Sequence, residues 1–507
     1  MIRKILSYRA TRVLLWIFVT LATLIVLPFM WANWSGERRW AATKTLIERE
    51  GETLDFHALL PAAPPEAENL LAIEPLRGIA EVIGNDASKG EPGAKRAALV
   101  AMKWGAGAPA ANGVSLGKVT DFQEWAKFLS DAKFLDLVAG SPASGNDVLA
   151  ALDARFPLLK QLADEAPKRP QAMFTPALRE REMPDILFSL SMAHYSGVPA
   201  LARLLTLRAR AAVDAKNGAE AVRSIIAVSR IAHACEQEPL LIGLLVGITV
   251  DSMALESLWH GLRERVFAEA EMRQLQEVYA EDETAKALLQ AVRGELAAGV
   301  DAVEHVQESR EDFISGLGNE SPGSRANFFK LLPNGLFNHW KSVIGEVEMH
   351  HLILPLKQGI PAAMRAGEAL EQEIKSKSNV VRHPDWIMAR LLVPTVKQVS
   401  LSAWLAAARK QQALAATALE RFFAKHGVYP AKVGELVPEF LPAVPLDPCD
   451  GKPLRYRMTA AGRFTLWSIS FDGQDDGGKV HVDAKGAAKL NKREYLGDWT
   501  WQYEPVK

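Results

Sequence analysis

The run from Val13 to Ala32 carries no charged residue, and it constrains the fold more than any other feature of the chain. About 20 residues at a helical rise of 1.5 Å span the roughly 30 Å hydrocarbon core of a bilayer. Trp16, Trp31 and Trp34 lie near its ends, where indole rings favour the membrane interface. Arg3, Lys4, Arg9 and Arg12 precede it with no acidic residue among them, which keeps the N-terminus cytoplasmic and exports the rest. A cleavable signal peptide has a shorter apolar region and small residues ahead of its cut, and neither pattern is present before Asn33. The segment reads as an uncleaved, single-pass anchor. A second apolar run, Leu240 to Val250, is about half the length a crossing needs and meets Asp251 and Glu256 at once, so it reads as a buried helix.

Around that anchor the chain divides into a basic tail (1–12), the span (13–32), a juxtamembrane helix with a proline-braced linker (33–68), a helical body (69–400) and a head (401–507). The fold class expected is mainly α, a large bundle-like body with a small α+β head. In the body, Leu201, Leu204 and Leu205 mark one apolar stripe, and Val222, Ile225 and Ile226 mark the next. Lys216-Asn217-Gly218 supplies the turn of an antiparallel helical hairpin. Gly105 to Gly117 reads as a flexible surface excursion, Ala270 to Gly316 as charged helix, and Gly316 to Asn338 as the longest loop. With 59 basic and 60 acidic residues, no nucleic-acid surface is expected. Cys235 and Cys449 are too few for a disulfide framework; pairing with each other and remaining free both stay open.

The head has the clearest pattern. Trp404, Leu405, Ala408, Ala415, Leu419 and Phe422 recur at helical steps from Ser402 to Lys425, and His426-Gly427 is the stop. Leu454, Tyr456 and Met458 alternate with Arg455 and Arg457 as one strand; Arg463 to Phe471 is a second and Lys479 to Asp483 a third. Alternation puts Leu466 and Trp467 on opposite faces of the second strand, so one of them packs against the helix of Leu419 and Phe422. The words Tyr429-Pro430, Val444-Pro445-Leu446-Asp447-Pro448, Asp450-Gly451 and Asp472-Gly473 follow in that order.

From Ala415 to Asp483 this order resembles the globular head of the major pseudopilin of bacterial type II secretion. The resemblance implies a small helix-and-sheet head, with Leu466 and Phe464 packed against the helix and Trp467 on the outer face, and a bacterial inner-membrane protein with its bulk in the periplasm. It does not imply pilus assembly, because no processing site stands near Met1. The whole layout, including Gly36-Glu37-Arg38-Arg39-Trp40, resembles uncharacterised membrane-anchored proteins of planctomycete and verrucomicrobial bacteria. The pseudopilin head holds calcium in the loop that matches Asp472 to Gly478. Here that makes Asp472, Asp475, Asp476 and Asp483 candidate calcium ligands, a set of hard oxygens on a glycine-bearing turn.

No serine, cysteine or threonine has a nucleophile-elbow or thiol-protease context, and no zinc signature is present. Gly113 to Lys118 lacks the first glycine and the final Ser or Thr of a phosphate loop. Glu346 and His350 would share a helix face without the order of zinc hydrolases. The favoured reading is therefore a non-catalytic envelope protein, structural or bound to an unknown envelope partner. A hydrolase of unfamiliar type, its site in the helical body, is the alternative. A deep pocket gathering polar groups would favour the second, and exposed apolar grooves the first.

Overall fold

The computed structural model describes residues 2–79, 113–117, 122–131, 143–174, 179, 193–280, 283–310, 332–379, 382–392, 396–471, 473–480 and 497–505. Among these, the helices of nine or more residues are α1 (Ile2–Arg49), α2 (Phe122–Asp131), α3 (Gly145–Arg155), α4 (Pro157–Glu165), α5 (Ala193–Asp214), α6 (Gly218–Glu236), α7 (Leu241–Arg263), α8 (Glu269–Tyr279), α9 (Thr284–Glu308), α10 (Asn334–Val347), α11 (Ile360–Ser376) and α12 (Val396–His426). The strands are β1 (Arg455–Met458), β2 (Phe464–Ser468) and β3 (Trp499–Gln502). The fold is mostly helical, as the periodicity implied. The chain forms two compact units. One contains 1–58, 295–357 and 363–395; the other contains 59–294, 358–362 and 396–507.

In the first unit α1 is long and apolar enough to cross a membrane, and its apolar part is exposed from Leu14 to Trp31. The helix does not stop at Ala32 but runs unbroken to Arg49. Its C-terminal half packs on α10 at unusually short range, because Gly36 and Gly335 face each other. A Cβ on Gly335 would collide with the carbonyl of Ala32, and one on Gly36 with that of Gly335. Further out, Arg39 Nη2 donates to Glu346 Oε2 (2.8 Å) and Nη1 to Asp385 Oδ2 (3.1 Å). Trp40, Thr43 and Ile47 are buried beyond them. The helix α10 begins at Asn334, inside the stretch 316–338 read as loop; Arg310 holds its start through the carbonyl of Leu332 (3.0 Å). Residues 311–331 lie outside the described set.

In the second unit α5 and α6 form the expected hairpin. Lys216 takes a left-handed φ of 56°, and the Asn217 side chain accepts from Glu220 N as the N-cap of α6. The helix α7, the second apolar run, packs against α5, α6 and α12 with Leu244, Val250, Ala254 and Leu258 buried. It belongs to the bundle core, as expected of a run that carries Asp251 and Glu256.

The same unit holds the small sheet, an antiparallel meander in the order β1-β2-β3. Tyr456 pairs with Leu466 and Leu466 with Trp501, so these three share a face; Arg455, Trp467 and Thr500 share the other. The third strand is 499–502 rather than 479–483: Lys479 and Val480 are not in a strand, and residues 481–483 lie outside the described set. Phe464 and Leu466 face inward as expected, Phe464 stacking edge-on to Tyr429 and Tyr503. Trp467 was expected outside, yet it is only 7% exposed. The loop 475–478 covers it: Trp467 Nε1 donates to Asp475 Oδ1 (2.8 Å), and Gly478 lies against its ring. Met458, expected to be inside, is 54% exposed at the strand end.

Two further segments depart from expectation. Gly113 to Gly117 is not a surface excursion but a helical turn seated on β3, where the Ser115 carbonyl accepts from Thr500 Oγ1 (3.1 Å) and Gln502 Nε2 (2.7 Å). The free edge of β3 is also covered. Its outward carbonyls accept from Arg409 Nη1, at Thr500, and from Trp259 Nε1, at Gln502 (3.0 Å). Helices α7 and α12 thus satisfy an edge that would otherwise template pairing with other chains.

Candidate functional site

Most charged residues in the middle of an apolar helix face solvent, because burying an unpaired charge is costly. Asp251 in α7 and Lys410 in α12 face inward. They meet the C-terminal part of α6, where Ser229, His233 and Glu236 recur at four- and three-residue steps and so share one face. Tyr279, the last residue of α8, closes the group. Together these helices wall a cavity of about 330 Å³. Its floor is buried: Ser229, Glu236, Asp251, Tyr279 and Lys410. Its mouth carries exposed Glu277 and Ala280, with half-buried Arg230, His233 and Glu283.

The floor is a charge network. Lys410 Nζ donates to both oxygens of Glu236, at 3.0 and 3.2 Å. It lies 3.7 Å from Asp251 Oδ2, beyond hydrogen-bond range. Asp251 Oδ1 accepts from Ser229 Oγ (3.3 Å) and Tyr279 OH (3.4 Å), both long. Asp251 Oδ2 is buried and receives no hydrogen bond. Glu236 also sits at the negative C-terminal end of α6, where a carboxylate is unfavourable without a cation beside it. Lys410 supplies that cation.

Burial pushes the Asp251 carboxyl up to about 6; Lys410 opposes the shift and Glu236 adds to it. Tyr279 is pushed well up by burial and by Asp251. Burial holds His233 below its ordinary value, so its ring is neutral at pH 7, and lowers Arg230 too. An acid tuned towards neutrality at the floor of a polar cavity is a recognised mark of a functional site. Sequence inspection noted Asp251 only as the charge that ends an apolar run. The available signal was that Asp251 and Lys410 fall on the inward faces of helices otherwise lined by Val, Ala, Leu and Trp.

The candidate calcium ligands do not all fall within the described residues: Asp472 and Asp483 lie outside them. Asp475 Oδ1 accepts from Trp467 Nε1 and from Gly477 N (3.0 Å), and Oδ2 lies 3.7 Å from Arg455 Nε. Asp476 is beside it, and Asp498, which the sequence reading missed, is buried next to both. Burial pushes Asp498 up to about 6, Asp475 and Asp476 adding to the rise; its Oδ2 accepts from Gly478 N (2.7 Å), while Oδ1 has no hydrogen bond. Among the described residues no three His, Cys, Asp or Glu side chains stand close enough to share a metal ion.

The head's sequence words serve its architecture. Asp447 is fully buried and accepts from Cys449 N (2.9 Å), Ser468 Oγ (2.7 Å), Ile469 N (3.0 Å) and Arg455 Nη1 (2.6 Å). Tyr429 OH donates to Glu420 (2.8 Å), and Tyr456 OH to the Pro430 carbonyl (2.8 Å). Glu346 and His350 do not meet: Glu346 takes Arg39, and His350 is exposed on a π-helical turn, Glu348–Ile353, that breaks the helical step between them. Cys235 and Cys449 are both free thiols. Comparison with protein-family models, with curated proteins and with solved structures gives no match.

Proposed function

We propose that this chain is a single-pass, membrane-anchored protein of a bacterial envelope, and that its exported body takes a small polar ligand in the cavity between α6, α7, α8 and α12. The observation that carries the ligand reading is the cavity floor, five buried polar side chains among which Asp251 Oδ2 accepts no hydrogen bond and is met only by the Lys410 ammonium at 3.7 Å. Arg230 Nε, on the same lining, is also buried and gives no hydrogen bond, and a buried polar group left unmet costs about 1–3 kcal/mol. A second cavity, about 180 Å³ and mostly apolar, is lined by Leu262, Phe267, Met272, Phe423 and Ala424 with Arg265 and Glu420, whose charges face each other at 3.6 Å; outside α1, the large apolar side chains that are exposed stand singly. No Ser, Thr or Cys described at the cavity is hydrogen-bonded to a histidine, which favours binding over hydrolysis.

Retention of the anchor is supported by α1 itself, since its outer half is packed inside the first unit as far as Ile47. The resemblance to a pseudopilin head supports the envelope setting, and a reporter active only outside the cytoplasm, fused after Lys507, should be active. A second reading keeps calcium at the loop of Asp475 and Asp476, where the unmet Asp498 Oδ1 would be answered by a cation. The ligand reading is tested by thermal-shift screening of the full chain in detergent against small polar compounds of every charge. Stabilising compounds are expected, and Ala280→Trp, which roofs the mouth from an exposed position, should abolish their effect. Hits that survive this variant, or no hits at all, would refute it.

A further inference from the structure

We infer that the first unit is seated on the phospholipid headgroup layer of the membrane that α1 crosses, touching it with the end of α9 and the start of α10; the inference rests on the reading of α1 as a retained span. The large apolar side chains of α1 from Val13 to Trp31 are all exposed, and close packing against the protein begins directly after them. Asn33 Oδ1 accepts from Gly335 N at 2.7 Å, and the backbone of Gly335 lies against that of Ala32. The start of α10 therefore stands where the apolar run ends. No break in α1 lets the unit swing away from that level. The helix is continuous from Ile2 to Arg49, and its one proline, Pro28, lies within the apolar run.

The direction of each helix follows from its partners. Gly335 meets Ala32 and Asn33, His339 meets Ser35 (3.1 Å), and Gly345 meets Thr43 and Ile47. Helix α10 thus runs parallel to α1, and its first turn is the end nearest the span. Helix α9 runs the opposite way. Its Glu304 accepts from Lys341 Nζ (3.0 Å), whereas Arg310, just past its end, donates to the Leu332 carbonyl (3.0 Å) and stands 4.9 Å over the Phe337 ring. Both helix ends reach the level of Ala32. Asn334 is exposed there, and Leu332, Pro333 and Leu336 are partly so.

Bilayer dimensions say what meets that surface. Val13 to Ala32, at 1.5 Å per residue, fill a hydrocarbon layer of about 30 Å, and the headgroup layer adds about 5–8 Å on each side. Some four residues of helix cross that layer, Asn33 to Gly36, and these are the residues on which the start of α10 packs. The flank of α1 suits the same depth. Trp31 and Trp34 are 65% and 55% exposed, and Arg38 stands 4.8 Å over the Trp34 ring. Indoles favour the interface, and a guanidinium beside one can donate to phosphate oxygens. The lipid contact is continuous with that of the span itself, so the partner is the headgroup layer and not a separate protein.

The experiment uses the full chain in phosphatidylcholine vesicles, with an environment-sensitive dye on Leu21→Cys, Asn334→Cys or Glu48→Cys. Cys449→Ala removes the accessible native thiol, Cys235 being fully buried. A phosphatidylcholine with a nitroxide at its headgroup should quench the dye at Asn334→Cys severalfold more than at Glu48→Cys, which lies about 24 Å beyond Ala32 along α1. A nitroxide deep in the acyl chains should quench Leu21→Cys. Quenching at Leu21→Cys, with Asn334→Cys as bright as Glu48→Cys, would overturn the seat and leave the anchor standing. No quenching at Leu21→Cys would overturn the anchor and the seat together. Equal headgroup quenching at Asn334→Cys and Glu48→Cys would overturn the seat too, since it would place the far end of α1 as near the lipid as the start of α10.

Discussion

Replacing Asp447 by alanine removes the acceptor on which four donors converge, at a position with no exposure to solvent. The magnitude depends on what each donor has left. Arg455 keeps Asp450, to which Nη2 donates at 2.6 Å, so its charge is not orphaned. The amide of Ile469 is buried and loses its partner outright, while the buried hydroxyl of Ser468 keeps only the weak acceptor Cys449 Sγ at 3.6 Å. A hydrogen bond to a charged group is worth about 1.5–3 kcal/mol, and breaking a buried ion pair costs about 3–5 kcal/mol; with Arg455 still paired, the estimate is about 3–4 kcal/mol. Asp447→Asn retains an acceptor oxygen and should cost about 1–2 kcal/mol. Asp450→Ala, on the partly exposed side of the same arginine, should cost about 1 kcal/mol or less. Amide hydrogen exchange over β1 and β2 in the full chain reads this locally. Asp447→Ala should speed exchange by roughly two to three powers of ten, at 1.4 kcal/mol per tenfold. A change under tenfold, or one equal to that of Asp450→Ala, would refute the idea that the aspartate of Val-Pro-x-Asp-Pro holds the sheet to its loop.

Gly335→Leu should separate α1 from α10, because even a Cβ there collides with backbone at Ala32; overpacking costs about 1–3 kcal/mol or more. A disulfide between Ser35→Cys and His339→Cys, whose native side chains meet at 3.1 Å, should form in the parent and fail in the leucine variant. Asp251 is raised to about 6 in the folded chain, so its contribution to stability is fully present below the unfolded value near 4 and is lost as pH rises through 6. Asp251→Asn should therefore melt above the parent at pH 7.5, and the gap should shrink on acidification to pH 4; a gap independent of pH would contradict the assignment. Calcium, proposed at Asp475 and Asp476, should raise the melting temperature of the full chain relative to chelator, with magnesium substituting poorly. Indifference to calcium would leave Asp475 as a turn residue that caps Trp467.

Local pattern revealed the helices because 3.6-residue periodicity is written into neighbouring residues: the hairpin of α5 and α6, the buried α7 and the long α12 with its Gly427 stop, φ 73°. Long-range partners were hidden. Trp467 lies inside because a loop ten residues later folds back over it, and Ser115 lies on β3 through hydrogen bonds to residues almost four hundred positions away. The third strand was misplaced for the same reason, since 499–502 joins β2 only after the chain has passed Lys479 and returned, Asp498 N donating to the Lys479 carbonyl at 3.1 Å. The cavity was illegible as a motif. Its residues come from four helices, with spacing set by packing instead of by chain order. Only the inward charges Asp251 and Lys410 marked it.

The central claim is that the cavity beneath Glu277 and Glu283 is where this protein meets its ligand. Hydrogen–deuterium exchange of the full chain, with and without the most stabilising compound from the screen, tests it most directly. Protection is expected at Ser229 to Glu236, at Glu277 to Glu283 and around Lys410, and it should vanish in Ala280→Trp. Protection centred instead on Leu262 to Met272 or on Asp475 to Gly478, with the cavity walls unchanged, would contradict it.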